Sequence, residues 1–481
     1  MLQRLSQINS SVDSQADSRT MFDQISSLPY DYWVLGGILC FLLPCLAYPR
    51  YTRWKQHASK SSPEISGKAS PGKLRPGSAA FDLATAYPPP RRQFMNPNIG
   101  SATIIDRSQL TATGFSKADI DALGDFPDYA ALSGVRLPHP YPEFDIDKAK
   151  ARPYRPVRWV YHQTMSLQKL EPDWWIELES SYARRIEQRR RIVAAHGDFV
   201  MNALEGSEHA CKELMEIVLQ FLTARYPQYF SLDVANMTFN NRILGTTTDL
   251  REKQPLQVLL ENVPEDFAMV LRDPATGVYH FRAGIACTSQ GWSVGTKIGQ
   301  DLREMHGPVP DYQKQMAVSM DRFFAKMPTD KPIERGSWAL PRGETYFVLP
   351  GAGYNPNPVE KDPTVKEDEC HMRVDWQTLR RLPVSGAIVF NFKAMFYPVS
   401  DLRGDPYIPS LLLKNLKEGK QNLIEHKRLG ETRHVVQPLL ERYEREQIEE
   451  GLIEKDWEVE TLAEHPFFPG WEKRWHEAQG F

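Results

Sequence analysis

The stretch DFAMVLRDPATGVYHFRAGIACTS most narrows the folds open to this chain. Two runs rich in β-branched and aromatic residues flank the turn Asp273-Pro274-Ala275-Thr276-Gly277, which predicts a β-hairpin and therefore antiparallel pairing. Further strands are expected in SWALPRGETYFVLP and SGAIVFNFKAMFYP, separated by the Gly/Pro/Asn loop PGAGYNPNPVEKDP. Helix-like segments surround these strands and do not alternate with them one by one. The expected class is α+β with an antiparallel sheet, not a doubly wound fold.

The strongest helical segment is EPDWWIELESSYARRIEQRRRIVAAHG, with Pro172 suited to the first turn, acids early, arginines late and Gly197 placed to end it. Trp175, Leu178, Tyr182, Ile186 and Val193 form its apolar stripe, and the run Arg189, Arg190, Arg191 reads as a solvated face near a helix C-terminus. A second amphipathic helix is expected over about 208–225, and further ones over about 408–418, 435–450 and 469–478.

Before these elements the chain has a different character. Residues 32–49, YWVLGGILCFLLPCLAYP, carry no charge and are bordered by Trp33, Tyr48 and Tyr51, as in a single membrane span. The leader 1–31 contains Asp13, Asp17, Asp23 and Asp31 where a cleaved signal would be basic. Arg50, Arg53, Lys55 and Lys60 follow the span, so the positive-inside rule puts the main domain in the cytosol, on an endomembrane such as the endoplasmic reticulum. That orientation leaves the sequon at Asn9 on the luminal side and the one at Asn236 away from it. A Ser/Pro/Gly/Lys-rich linker is expected over 50–92, then a Pro-rich arm over 93–152, a main domain over 153–450 and a helical tail over 451–481.

Lys and Arg number 58 against 61 Asp and Glu, a net charge of -3, which argues against nucleic-acid binding through a global basic field. The five cysteines, Cys40, Cys45, Cys211, Cys287 and Cys370, form neither a disulfide framework nor a thiolate zinc site. GAGYNP lacks the third glycine of a dinucleotide fingerprint, and GWSVGTKIG lacks the spacing of a phosphate loop. No H-E-x-x-H, G-x-S-x-G or C-x-x-C-H occurs.

What remains is DLREMHGPVP. Ile298, Leu302 and Met305 share a helical face, and His306 arrives where Gly307 and Pro308 must stop the helix. A histidine there is either a capping cation or an axial metal or haem ligand oriented through its other ring nitrogen. Downstream, Arg335 and then Arg373, Asp375, Gln377, Arg380 and Arg381 offer either surface salt bridges or a clamp for carboxylates such as haem propionates.

MSLQKLEPDWWIELESSYARRIEQRRRIV, VPEDFAMVL, GWSVGTKIGQDLREMHGPVP, DRFFAKM and RVDWQTLRRLPVSGAIVFNF occur in an order that resembles the haem-dependent oxidative N-demethylase family, in its haem-carrying alpha subunit and fungal relatives. The likeness covers about 153–450 and leaves the anchor and linker outside. It implies a PAS-like antiparallel sheet surrounded by helices. It implies a b-type haem held by His306 and Arg335 near haem or substrate; with a haem present, the clamp reading of Arg373, Arg380 and Arg381 makes them candidate cofactor-binding residues. Asp375 stands where the family is expected to carry a glutamate for the substrate's ammonium group. The implied reaction oxidises an N-methyl amine with O2 to amine plus formaldehyde. No electron-carrying motif occurs in this chain, so an electron-donating reductase is an implied partner. A non-catalytic haem or small-ligand sensor on the same fold would need His306 but no substrate carboxylate, and an apo scaffold would need neither.

Overall fold

The computed structural model describes residues 110–161, 164–309, 311–351, 361–425, 427 and 429–481. The leader, the apolar segment 32–49, the linker, the first part of the arm, and Cys40 and Cys45 lie outside the described residues. Among the described residues no helix is long and apolar enough to cross a membrane.

In chain order the strands are β1 (Gln168–Lys169), β2 (Met201–Ala203), β3 (Phe230–Asp233), β4 (Thr238–Asn241), β5 (Thr246–Asp249), β6 (Asp266–Arg272), β7 (Tyr279–Ile285), β8 (Ile333–Ala339), β9 (His371–Arg381) and β10 (Ile388–Pro398). β3, β4 and β5 form a small meander, while the other seven form one sheet in the order β1-β8-β9-β10-β6-β7-β2. Every pairing is antiparallel, as the hairpin demands. Its principal helices are α1 (Tyr182–His196), α2 (Glu208–Arg225), α3 (Pro255–Asn262), α4 (Leu302–Met305), α5 (Ala317–Lys326), α6 (Ile408–Glu418), α7 (Arg433–Glu449) and α8 (Trp471–Gln479). The class is α+β.

Side chains alternate along a strand, so each strand divides its residues between two faces. Phe267, Met269, Val374, Trp376 and Val389 join the larger core, with α2, α3, α6 and α7 packed in the same cluster. Val270, Tyr279, Phe281, Leu379 and Ile388 take the opposite face, where the β7–β8 connection covers them with Val294, Leu302, Tyr312, Met320 and Phe324. A register shift beside Met269 and Val270 switches the facing of β7, which puts Tyr279 and Phe281 on one side and Ala283 and Ile285 on the other. Phe115, Tyr129 and Phe144 of the arm and Phe468 of the tail enter the larger core.

Three local expectations are corrected. The helix foreseen from Pro172 begins ten residues later, at Tyr182, after only a 3-10 turn at Pro172–Trp174. The reason is that Trp175, Ile176, Glu177 and Leu178 are buried in succession, which no single helix face can do. Arg189 is not solvated: it lies fully buried and ion-paired to Asp266, because Tyr182, Arg185, Ile186 and Arg189 form the inner stripe of α1. Arg190 and Arg191 are exposed. Finally, β9 is a strand that apolar patterning did not reveal, since its charged residues alternate with Met372, Val374 and Trp376.

Candidate functional site

The segment bearing His306 is shorter than one continuous stem. Val294–Lys297 makes one turn, the chain reverses at Gly299 (φ +88°), and Asp301 then caps a fresh turn, α4. The Asp301 carboxylate accepts the backbone N–H groups of Arg303 and Glu304 at 2.8 Å each, and Glu304 returns a carboxylate to the Asp301 N–H at 2.9 Å. His306 itself occupies the C-terminal cap, and Gly307 does not adopt the left-handed conformation expected of it.

His306 Nδ1 lies 2.7 Å from the Leu302 carbonyl oxygen. A carbonyl only accepts, so Nδ1 carries the proton, and Nε2 is left with its lone pair when the ring is neutral. Burial favours that neutral form by pushing the histidine below its ordinary pKa, and the charges of Lys297 and Arg335 push the same way against the Leu302 hydrogen bond. The Tyr312 ring stacks on the imidazole with centroids 4.8 Å apart and planes within 13°. One ring nitrogen committed to a backbone carbonyl and the other open is the arrangement of a metal-binding imidazole.

The sheet face under the β7–β8 connection is both aromatic and charged. Phe390 and Phe392 stack at 5.9 Å, Phe324 stacks on Phe390 at 5.6 Å, and Trp292 meets Phe392 edge-on at 6.4 Å. On the same face the register sets Arg335 opposite Gln377 and Ser337 opposite Asp375. Arg373 donates to Asp375 Oδ1 from Nε at 3.0 Å and from a terminal nitrogen at 2.7 Å, and also reaches the Thr288 carbonyl at 2.9 Å. Burial pulls the Arg335 guanidinium below its ordinary pKa, and its Nε has no hydrogen-bond partner.

His306, Arg335, Arg373 and Asp375 thus belong to one side of the sheet. Arg380 does not: by alternation it faces the larger core, its guanidinium 4.3 Å from the Trp175 ring centroid and under the charge of Glu213. Arg381 is sewn into the frame, donating to the carbonyls of Met327 at 2.6 Å and Gly386 at 2.9 Å, to that of Phe324, and to the Tyr279 hydroxyl at 2.9 Å. Near Arg335 stand Arg158 and Tyr161, and Lys427 lies on the Tyr161 ring, groups that sequence reasoning missed. Arg158 and Tyr161 share one short segment and Lys427 comes from another far along the chain, and no local pattern announces their meeting.

Whether haem suits these groups can be tested on the residues themselves. The cofactor needs an imidazole with one free nitrogen, apolar or aromatic walls, and a cation for its carboxylates. His306 offers the first, Phe390, Phe392 and Trp292 the second, and the buried, unpartnered Nη1 of Arg373 the third. The residues fit. Fold and site together define an α+β domain that presents a helix-borne imidazole, His306, beside a partly charged antiparallel sheet. The chain belongs to the family described as haem-dependent oxidative N-demethylase, alpha subunit-like, whose model matches residues 166–437, over half of the chain. The match contains His306, Arg335, Arg373, Asp375 and Lys427, while Arg158 and Tyr161 fall outside it.

Proposed function

We propose that this chain is a membrane-tethered, haem-dependent oxidative N-demethylase. It oxidises an N-methyl amine with O2 to the demethylated amine, formaldehyde and water, taking two electrons from a separate reductase and two protons from the medium. The observation that carries the reading is His306, held through Nδ1 with burial favouring its neutral form so that Nε2 is available, in a chain of a haem-dependent family. The haem is b-type, since no C-x-x-C-H motif offers covalent attachment. When bound, it supplies the O2 chemistry. A PAS-like core is supported by the strand order: counted from β6 to β10, the five central strands stand 2-1-5-4-3, with α4 between the second and third.

The remaining work falls to side chains. Leu302 fixes the imidazole tautomer, Tyr312 restrains the ring, and Phe390, Phe392 and Trp292 keep water from the face they cover. Asp375 Oδ2 accepts no hydrogen bond from any described residue, and the side chain is 32% exposed, so it can hold an ammonium group. Arg373 pins the other oxygen and so sets the direction of the open one. The apolar segment 32–49 tethers the domain to the cytosolic side of an endomembrane, endoplasmic reticulum above all, and raises the effective concentration of a reductase in the same membrane.

A haem sensor is the second reading, and one observation favours it: Arg373 already half-neutralises Asp375, which weakens its pull on a cation. The test uses the full chain. The wild type is expected to show a Soret band that His306→Ala loses, and to release formaldehyde from a methylated amine when a reductase is supplied. Asp375→Ala is expected to keep the band and lose roughly 100-fold or more in turnover. A band that survives His306→Ala sinks the ligand assignment, and unchanged turnover in Asp375→Ala sinks the role of the carboxylate.

A further inference from the structure

Asp266 opens β6 and stands opposite Phe392 of β10, which in turn stands opposite Gln377 of β9. Alternation along β9 gives Gln377 and Asp375 the same face, so Asp266 lies on the side of the sheet that carries Asp375. Its two oxygens take four donors. Oδ1 accepts the Cys287 N–H at 2.9 Å and Nη1 of Arg189, while Oδ2 accepts the Thr288 N–H at 2.7 Å and the Thr288 hydroxyl. The Thr288 carbonyl oxygen then accepts Nη2 of Arg373 at 2.9 Å, and the same Nη2 donates to Asp375 Oδ1 at 2.7 Å.

Hydrogen bonds therefore run without a break from Arg189 through Asp266, Thr288 and Arg373 to Asp375. The first four residues are buried, and only Asp375 reaches solvent. Bonds to charged groups out of water are strong and directional, so a guanidinium tethered at two points has little freedom. Arg373 has such tethers in the Thr288 carbonyl and in Asp375 itself. If the first slackens, the guanidinium follows the carboxylate it is meant to hold, and the direction of Asp375 Oδ2 is no longer set by the frame. Asp266 secures that first tether by gripping Thr288 through both its N–H and its side chain. An error of about 1 Å in such a contact costs on the order of 100-fold in a reaction that depends on orientation.

Resting on the N-demethylase reading, we propose that Asp266 is a positioning residue for the substrate: through Thr288 and Arg373 it sets the direction in which Asp375 Oδ2 meets the substrate's ammonium group. Asp266 acts through the other two and touches no substrate. A purely structural Asp266, one that only ties α1 to the sheet through Arg189, would loosen the domain when replaced but would show no special link to Asp375.

The haem-loaded full chain is titrated by calorimetry with dimethylammonium chloride. Asp266→Asn is expected to keep the Soret band and bind the cation roughly tenfold more weakly than the wild type. Thr288→Val, which removes only the hydroxyl from Asp266, is expected to bind about threefold more weakly, and Thr288→Ser to bind as the wild type does. The decisive measurement is the double-mutant cycle with Asp375→Ala. With that carboxylate gone there is nothing left to aim, so either substitution is expected to change the affinity of Asp375→Ala by less than about twofold. Should Asp266→Asn fail to fold, Thr288→Val and its cycle decide alone. The proposal is overturned if Thr288→Val binds as the wild type does, or if a substitution costs as much in Asp375→Ala as in the wild type, the mark of general loosening. Failure of the demethylase reading looks different: the coupling to Asp375 persists in binding, yet no methylated amine yields formaldehyde when a reductase is supplied.

Discussion

The two faces of the main sheet both bury charge, but they treat it in opposite ways. Toward the larger core, Glu177 takes the Arg152 backbone N–H at 2.7 Å and its Nε at 3.0 Å, Lys393 reaches the Glu177 carbonyl at 2.8 Å, and Asn391 donates to Glu265. Each of these charges finds its partner within the chain. Toward the β7–β8 connection, the His306 lone pair, the Arg335 Nε and Asp375 Oδ2 are left without one. Arg380 Nε is an exception on the first side and Arg381 on the second, but the Glu177 network is closed within the fold, whereas these three atoms have no partner among the described residues.

The largest expected effect breaks the closed side. Arg152→Met would strand Glu177, 4% exposed, beside Glu265, and is expected to cost about 3–5 kcal/mol in urea denaturation. Part of that loss is packing, because the guanidinium also lies 4.4 Å from the Trp174 ring centroid. Arg335→Gln is the matching change on the open side. It removes a half-buried guanidinium whose Nε has no partner among the described residues, and is expected to leave the ligand-free chain unchanged or more stable by about 1 kcal/mol. Equal losses from both substitutions would erase the distinction between the faces.

The closed side also has a pH signature. Burial raises the Glu265 carboxyl from 4.5 to about 7, despite Lys393 and the Asn391 hydrogen bond. A carboxyl raised in the folded state is held protonated there, so its contribution is full below 4.5 and is lost as pH rises to about 7. Glu177 runs the other way: burial is outweighed by Arg152 and Lys393, its pKa falls, and its contribution disappears as acid protonates it. Between pH 5 and 8 the wild type is therefore expected to lose stability relative to Glu265→Gln, by at most about 3 kcal/mol. Urea midpoints measured at each pH unit decide the matter. Parallel curves for the two proteins would show that Glu265 does not titrate in this range.

How far these faces could be read from the amino-acid order depends on how local their causes are. The hairpin at Asp273, α2 and the three helices α6, α7 and α8 were legible because periodicity and turn residues act within a dozen positions. The end of a helical turn at His306 was legible for the same reason, since capping and Pro308 act nearby. Arg189 was misread because its partner Asp266 is 77 residues away, and nothing in a run of three arginines says which one turns inward. Arg380 was grouped with Arg373 by proximity in sequence, although alternation along β9 sends them to opposite faces once the strand is recognised. Lys427 and Tyr161 meet only through the tertiary fold.

The smallest effect sharpens the comparison at the point where the open face is built. Asp301 holds α4 by accepting two backbone N–H groups, and α4 is a single turn whose end carries His306. Asp301→Ala removes that cap and is expected to cost about 1 kcal/mol. If the His306 turn opens as a local unit, that cost appears as roughly fivefold faster amide hydrogen exchange at Met305 and His306. The urea midpoint would barely move, because the larger core unfolds independently of this turn. The imidazole would spend more time away from the Leu302 carbonyl, and haem affinity should drop by a similar factor. A global loss above about 2 kcal/mol would instead tie the cap to the cooperative core. The open face would then owe its vacancies to the same packing that closes the other one, and the contrast between them would not hold.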